Sequence, residues 1–192
     1  MFPEHVETDR LTLSRFCHDT IDAAALYELF GASTDGVATV FEYVPQTPFQ
    51  TFKEAYNMIE RAESSWESGK MALYAVYPPD DELAGYTALS LEWERRTGTI
   101  GVILATPYWG REYAGECADA LTELAFDCLD LELVAIGYES GNDKSQRMIE
   151  KYIETYGGQY DGLLRNWTPV DDIVLDHHRY TVTQEQYTAA TE

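Results

Sequence analysis

Positive charge is scarce in this chain. Its 192 residues carry 34 Asp and Glu against 13 Lys and Arg, a formal net charge of −21. A field of that sign repels phosphate backbones and anionic headgroups, so neither nucleic acid nor a membrane is expected as a partner. Long apolar runs are missing too: no window of about 18 uncharged apolar residues exists, and no membrane span is expected. Met1–Arg10 is polar and acidic, without the basic start and apolar stretch of a secretion signal. Cysteine is sparse. Cys17, Cys117 and Cys128 are odd in number and show no CxxC spacing, which argues against a disulfide framework or a zinc cluster. On one helix Cys117 and Cys128 would lie about 16 Å apart, beyond disulfide reach. All three read as small buried hydrophobes in a reducing, cytoplasmic setting. The phosphate-binding GxxxxGK[ST], the dinucleotide GxGxxG, the zinc-binding HExxH and the nucleophile GxSxG are all absent. His177 and His178 are adjacent, so on a strand they point to opposite faces and cannot share a metal. No metal is expected.

Among the cations, Lys is the rarer, with four against nine Arg. Acid enrichment with little Lys resembles the composition of proteins from salt-accumulating, haloarchaeal-type cells. There a Debye length of about 3 Å at 1 M salt makes such a charge tolerable. An ordinary acidic protein is the alternative. With 45% hydrophobic and 13% aromatic residues the chain is too apolar to be disordered, and its length suits a single domain over residues 1–192.

The periodicities predict a short strand over Leu11–Arg15 and a helix over Thr20–Phe30, capped by Asp19 or Thr20 and stopped by Gly31. Gly31–Thr47 reads as loop with a short turn. Thr51 and Glu54 form a capping box opening a helix with Phe52, Ala55, Ile59, Ala62 and Trp66 inward. Strands follow at Met71–Tyr77, Gly85–Trp93 and Thr99–Ala105, joined by turns at Pro78–Asp81 and Arg95–Gly98. Ala114–Leu129 has the spacing of a core-facing helix. A strand at Glu132–Tyr138, a helix at about Asp143–Tyr156 and strands near Gln159–Asn166 and Ile173–Val182 complete the chain, the last two separated by the loop Pro169–Asp172. This order implies a mixed α/β fold: one mostly antiparallel mixed sheet with helices on both faces.

The strand Thr99–Ala105 runs through Thr106–Glu116 into the long helix. Small residues at a strand-to-helix turn make an anion cradle, because unpaired N–H groups and the positive end of the helix dipole point the same way. Ala114 and Gly115 leave room for a phosphate, and Arg111 can add charge. Tight packing of helix on sheet is the other reading of the same residues.

The stretch Pro107-Tyr108-Trp109-Gly110-Arg111-Glu112-Tyr113-Ala114 resembles the acyl-CoA pyrophosphate loop of the GNAT superfamily of N-acetyltransferases, nearest to the branch that acetylates ribosomal-protein N-termini, with its "YWGRGYA". Further similarities fall in order: Thr8–Leu13 with "TERLxL", Ile100–Leu104 with "IGYWL", Gly141–Ser145 and Ile149–Lys151 with "GNxxS…LEK", and Asp161–Arg165 with "EGxLR". The resemblance spans residues 8–183. It implies a sheet in which two central strands splay apart to admit acetyl-CoA as cosubstrate. The backbone of Val102, Ile103 and Leu104 would pair with the pantetheine amides. The N–H groups of Arg111, Glu112, Tyr113, Ala114, Gly115 and Glu116 would hold the pyrophosphate. Asn142 would bond the pantetheine arm or a bridging water, and Ser145 would face the thioester sulfur as proton donor or serve as a helix cap. The implied reaction is direct acetyl transfer to an amine, a protein N-terminus or a small molecule, with the oxyanion stabilised by a strand N–H.

Two positions depart from the family. Glu112 stands where the family has Gly; turned to solvent it leaves its N–H free, turned inward it opposes a pyrophosphate. Ile149 stands where many members have a Tyr acid. Glu92 or Glu94 would act as base from a central strand, or be solvated edge carboxylates; Glu92 is the candidate. A CoA-binding regulatory module without turnover, or a domain whose turn serves packing alone, are the rival readings. A homodimer is the oligomer the family suggests.

Overall fold

A computed structural model describes residues 1–192 apart from Asp80, Asp81 and Asp171, so parts of the turns expected at Pro78–Asp81 and Pro169–Asp172 lie outside the described residues. The strands are β1 (His5–Glu7), β2 (Thr12–Arg15), β3 (Met71–Tyr77), β4 (Gly85–Glu92), β5 (Thr97–Leu104), β6 (Leu133–Glu139), β7 (Gln159–Val170) and β8 (Ile173–Thr183). The helices are α1 (Ala23–Phe30), the single turn α2 (Val37–Val40), α3 (Phe52–Glu67), α4 (Tyr113–Glu123), α5 (Asp143–Tyr156) and α6 (Gln184–Thr191). The eight strands form one sheet in the order β1-β2-β3-β4-β5-β6-β8-β7, antiparallel throughout except for β5 with β6. This is the mixed α/β architecture expected.

Burial follows the sequence. In β3 the five central residues of MALYAVY are all buried, as a strand covered on both faces requires. Leu73 and Ala75 face a cluster with Phe16, Leu26, Phe30 and Ile59 from the α1–α3 side. Ala72, Tyr74 and Val76 face the other cluster, with Leu121, Leu124, Ile149 and Tyr152 from α4 and α5.

Several expectations shift. Helix α1 starts at Ala23, with Asp22 Oδ1 accepting the Ala24 N–H at 2.8 Å, because the Thr20 hydroxyl donates to the Arg15 carbonyl and closes a turn first. Helix α3 begins where predicted, but the capping box is not made. Glu54 reaches past the cap to the Gln50 N–H at 2.8 Å, and Phe52 is exposed. Strand β1 and helix α6 arise where no element was expected; α6 carries a complete capping box between Thr183 and Gln186. Past Glu123, α4 widens into a π-type turn over Leu124–Cys128, with Leu129 N–H bonded to the Leu124 carbonyl. That extra residue rotates the following face. Phe126 turns inward and Cys128 outward, so only Cys17 and Cys117 are buried.

Candidate active site

Strands β5 and β6 pair over three positions only, Thr97 with Leu133, Gly98 with Val134 and Thr99 with Ala135, and then separate. Beyond that point β5 continues against β4 as far as Leu104, while β6 stays with β8. The Ala105 N–H donates to the Ala84 carbonyl on the β4 side. Alternation along the strand therefore turns the main-chain groups of Val102 and Leu104 toward the gap and those of Ile103 toward β4. Consistently, a Cβ on Gly85 of β4 would collide with the Ile103 carbonyl. The Leu104 carbonyl is occupied by the Trp109 indole N–H at 2.7 Å, which leaves the Val102 N–H and C=O and the Leu104 N–H as the open edge.

That edge leads straight into the N-terminus of α4. Gly110 and Glu112 both adopt left-handed φ, +72° and +64°, which makes the tight reversal from the Trp109 anchor into the helix and accounts for Gly as the family residue at 112. Glu112 is the N-cap, yet its side chain makes no cap hydrogen bond; it pairs with Lys151 of α5 instead. Helical bonding starts with the Glu116 N–H to the Glu112 carbonyl at 3.2 Å, so the N–H groups of Tyr113, Ala114 and Gly115 lack helical partners. A Cβ on Gly110 or Gly115 would meet nothing within 4 Å. The glycine at 115 thus borders open space, which disposes of tight packing as its reason.

One cleft of about 1230 Å³ takes in the β5 edge, the α4 N-terminus, Asn142 and Ser145 at the start of α5, and Thr39, Val40, Glu42, Tyr43 and Val44 at the end of α2 and just after it. Asn142 caps α5, its Oδ1 accepting the Ser145 N–H at 3.1 Å. This answers the capping question for Ser145: its hydroxyl is not the cap, and it faces the cleft half-buried. Tyr43 lies against Gly141, 3.3 Å from where its Cβ would be, and closes the opposite wall.

Charge in the cleft is mixed. Asp9, Glu42, Glu112, Glu116, Asp119 and Asp143 line it along with Arg10, Lys144, Arg147 and Lys151. Much of this is paired internally. Glu116 accepts from the Thr8 hydroxyl at 2.5 Å and from the Arg10 N–H and Nε at 2.8 Å, and pairs with Arg10 Nη2 at 2.7 Å. Burial works to raise the Glu116 carboxyl, but these bonds outweigh it and hold it below the usual range. Glu112 is also lowered, by the Lys151 hydrogen bond and charge. Asp119 is raised, chiefly by burial, against a hydrogen bond from Tyr156. Lys144 sits over the Trp109 ring, 4.0 Å from its centroid.

The expected site residues divide. Val102, Ile103, Leu104, Glu112, Tyr113, Ala114, Gly115, Glu116, Asn142 and Ser145 all border the cleft, although Ile103 presents no main-chain group to it. Arg111 does not line it; its guanidinium lies 5.6 Å from the Tyr108 ring centroid. Glu92 is a correction. It ends β4 opposite Thr97, at the far end of the sheet from Leu104, exposed and paired with Arg95 at 2.9 Å. Hairpin register, which reverses the chain between β4 and β5, puts it there. At the position of the family Tyr, Ile149 is buried in the core. Tyr43, an aromatic that could wall an acceptor pocket, does line the cleft, whereas Thr39, Val40, Glu42, Val44, Arg10 and Lys144 are brought in only by their fold neighbours.

An open, mostly antiparallel sheet whose one parallel pair splays beside an uncapped helix N-terminus defines a mixed α/β domain with a cleft at the splay. The acetyltransferase (GNAT) domain family matches residues 10–152, and the chain belongs to that family. It is 23% identical over 186 residues to the uncharacterized N-acetyltransferase p20 of Bacillus licheniformis, covering 96% of this chain and 98% of that one. Its fold is shared with the microcin C7 self-immunity acetyltransferase MccE, solved with acetyl-CoA and AMP, at TM-score 0.82 and 16% identity, covering 94% of this chain and 97% of that one. It is shared too with a spermidine N-acetyltransferase from Vibrio cholerae, solved with CoA and spermine, at TM-score 0.76 and 18% identity, covering 94% and 99%.

Proposed function

We propose that this chain is an N-acetyltransferase that moves the acetyl group of acetyl-CoA directly to an amine, a protein N-terminus or a small molecule. The observation that carries this is the continuity of the unpaired β5 edge with the uncapped N-terminus of α4 inside one cleft. The residues present fit the cosubstrate. Val102 and Leu104 offer main-chain groups to an extended amide-bearing arm, as an added strand would use them. Tyr113, Ala114 and Gly115 offer three N–H groups to a pyrophosphate, and the space before Gly115 is open. The Asn142 side-chain NH₂ remains for the arm because its oxygen is committed to Ser145.

Acetyl-CoA supplies the activated acyl group. The chain orients it along β5, a strand N–H at the splay stabilises the negative charge that develops on the carbonyl oxygen, and Ser145 returns a proton to the leaving sulfur. Acidic side chains along the cleft, Glu42 and Asp143 among them, attract a cationic acceptor. A homodimer belongs to the same reading, because the β7–β8 hairpin leaves Trp167, Ile173 and Val174 exposed for a second copy to cover. A salt-rich cytoplasm would suit the net charge.

Calorimetry with acetyl-CoA and CoA in molar KCl tests the cradle; no heat with either would sink the reading. Thiol release across a panel of amines and N-terminal peptides then separates an enzyme from a CoA-binding module without turnover.

A further inference from the structure

The face of the sheet opposite α4 and α5 carries a second group of polar residues at the splay. Thr99 pairs with Ala135, and Ala135, Gly137 and Glu139 of β6 pair with Thr181, Arg179 and His177 of β8. Side-chain alternation puts all of these, with Gly101, on one face. Around the splay that face is open: Thr99 and Gly101 are exposed.

The His177 ring is held in a defined way. Its Nδ1 lies 3.1 Å from Glu139 Oε1, and the same oxygen accepts the Thr168 hydroxyl at 2.9 Å. An ionised carboxylate can only accept, so Nδ1 is the donor and the lone pair of the neutral ring sits on Nε2. The ring lies flat across Gly137, where a Cβ would collide with Nε2 and Cε1. A Cβ at 137 would also meet the His178 carbonyl at 2.4 Å, so glycine is required there and the imidazole Nε2 sits over β6. Gly137 is two residues past Ala135, the last β6 position paired with β5, so Nε2 lies on the open face beside the start of the splay, where an amine entering from that face would meet it. Glu139 and His177 have side chains only 13% and 20% exposed, whereas the Glu112–Lys151 pair is open to solvent, so the dyad's geometry is the better defined. The other charges facing it are Arg179, two residues along β8, and Asp161 of β7, which pair at 3.4 Å.

We propose that His177, oriented by Glu139, is the general base of the transfer and takes the proton of the acceptor amine. The inference rests on the transferase reading above. As the amine nitrogen forms its bond to the acetyl carbon, the surplus proton on nitrogen goes to His177 Nε2. The carbon–sulfur bond breaks with its electron pair on the sulfur, and the thiolate takes up a proton from solvent, relayed by the Ser145 hydroxyl as it is itself reprotonated. Glu139 is a positioning residue: it fixes the tautomer and stabilises the imidazolium.

The test uses the full chain and the variants H177A and E139Q. H177A should lower kcat by about 10²- to 10³-fold with the acetyl-CoA Kd and melting temperature unchanged. Added imidazole should restore part of the rate. The acid limb of kcat/KM should disappear in H177A, and E139Q should lower kcat with KM little changed. In the wild-type protein without cosubstrate, nitrogen NMR should find the Nδ1–H tautomer at His177. A wild-type rate and pH profile in H177A, or an Nε2–H tautomer, would overturn the proposal. Failure of the wild-type chain to bind acetyl-CoA would overturn the transferase reading and the dyad's role with it. If acetyl-CoA binds and no amine on the panel is acetylated, the chain is a module without turnover and the base role of His177 is overturned.

Discussion

Removing the Glu116 carboxylate should loosen the joint between the β1–β2 corner and the start of α4. In Glu116→Ala the Thr8 hydroxyl and the Arg10 N–H lose a charged acceptor at 2.5 and 2.8 Å, at about 1 kcal/mol each. The Arg10 guanidinium loses its pair too, but it is 46% exposed, so water takes over much of that interaction and only about 1 kcal/mol is assigned to it. The sum is about 3 kcal/mol, or a drop of roughly 6–12 °C in melting temperature for a chain of this size. Thermal melts by circular dichroism measure it. The pH dependence adds a second check. Folding lowers the Glu116 pKa beneath its ordinary 4.5, so this stabilisation is complete above that value and is lost as pH falls through the folded one. The gap between wild type and variant should therefore close in acid. A gap under about 2 °C at neutral pH, or one that does not narrow as pH is lowered below 4.5, would refute the assignment.

Four further outcomes are expected. Gly115→Val should leave the melting temperature within about 3 °C, because the added carbons meet open space, yet weaken acetyl-CoA at least about tenfold by filling the cradle; equal affinity in calorimetry would mean the pyrophosphate lies elsewhere. Glu112→Gly removes a negative charge and a left-handed non-glycine, and should tighten acetyl-CoA by about 3- to 10-fold, more in dilute than in molar KCl; weaker binding would count against the N-cap as part of the site. Ser145→Ala should lower kcat about tenfold or more with little change in Kd, and an unaltered rate would remove the hydroxyl from the chemistry. Dilution from about 2 M to 0.1 M KCl should lower the wild-type melting temperature, since 34 acidic side chains then repel with less screening; a flat response would refute the salt-adapted reading.

Much of the fold was legible because each signal was local. Apolar spacing marked α5 to the residue, and Gly157 ends it in the left-handed conformation that favours glycine. The errors have local causes as well. The 3.6-residue period breaks at the π-type turn, so Cys128 was misplaced. The nominal capping pair Thr51 and Glu54 found different partners, because Gln50 also offers an N–H. In the site, the loop Trp109–Glu116 could be read from its small residues, whereas Glu92 was drawn toward the cleft by its strand alone. Only the register of β4 on β5 shows it at the other end.

By itself the sequence determined where most helices and strands form, the small residues of the turn from β5 into α4 and the acidic character of the whole, since these depend on neighbours in the chain. Tertiary structure decided what faces what. It turned the Glu112 side chain to Lys151, 39 residues away, and so left the α4 N–H groups uncapped. It set Val102 rather than Ile103 against the gap, through the hydrogen-bond phase that β4 imposes. It also laid His177 over Gly137 and against Glu139. These residues are 38 to 40 positions apart, and only the antiparallel register of β6 with β8 brings them into contact.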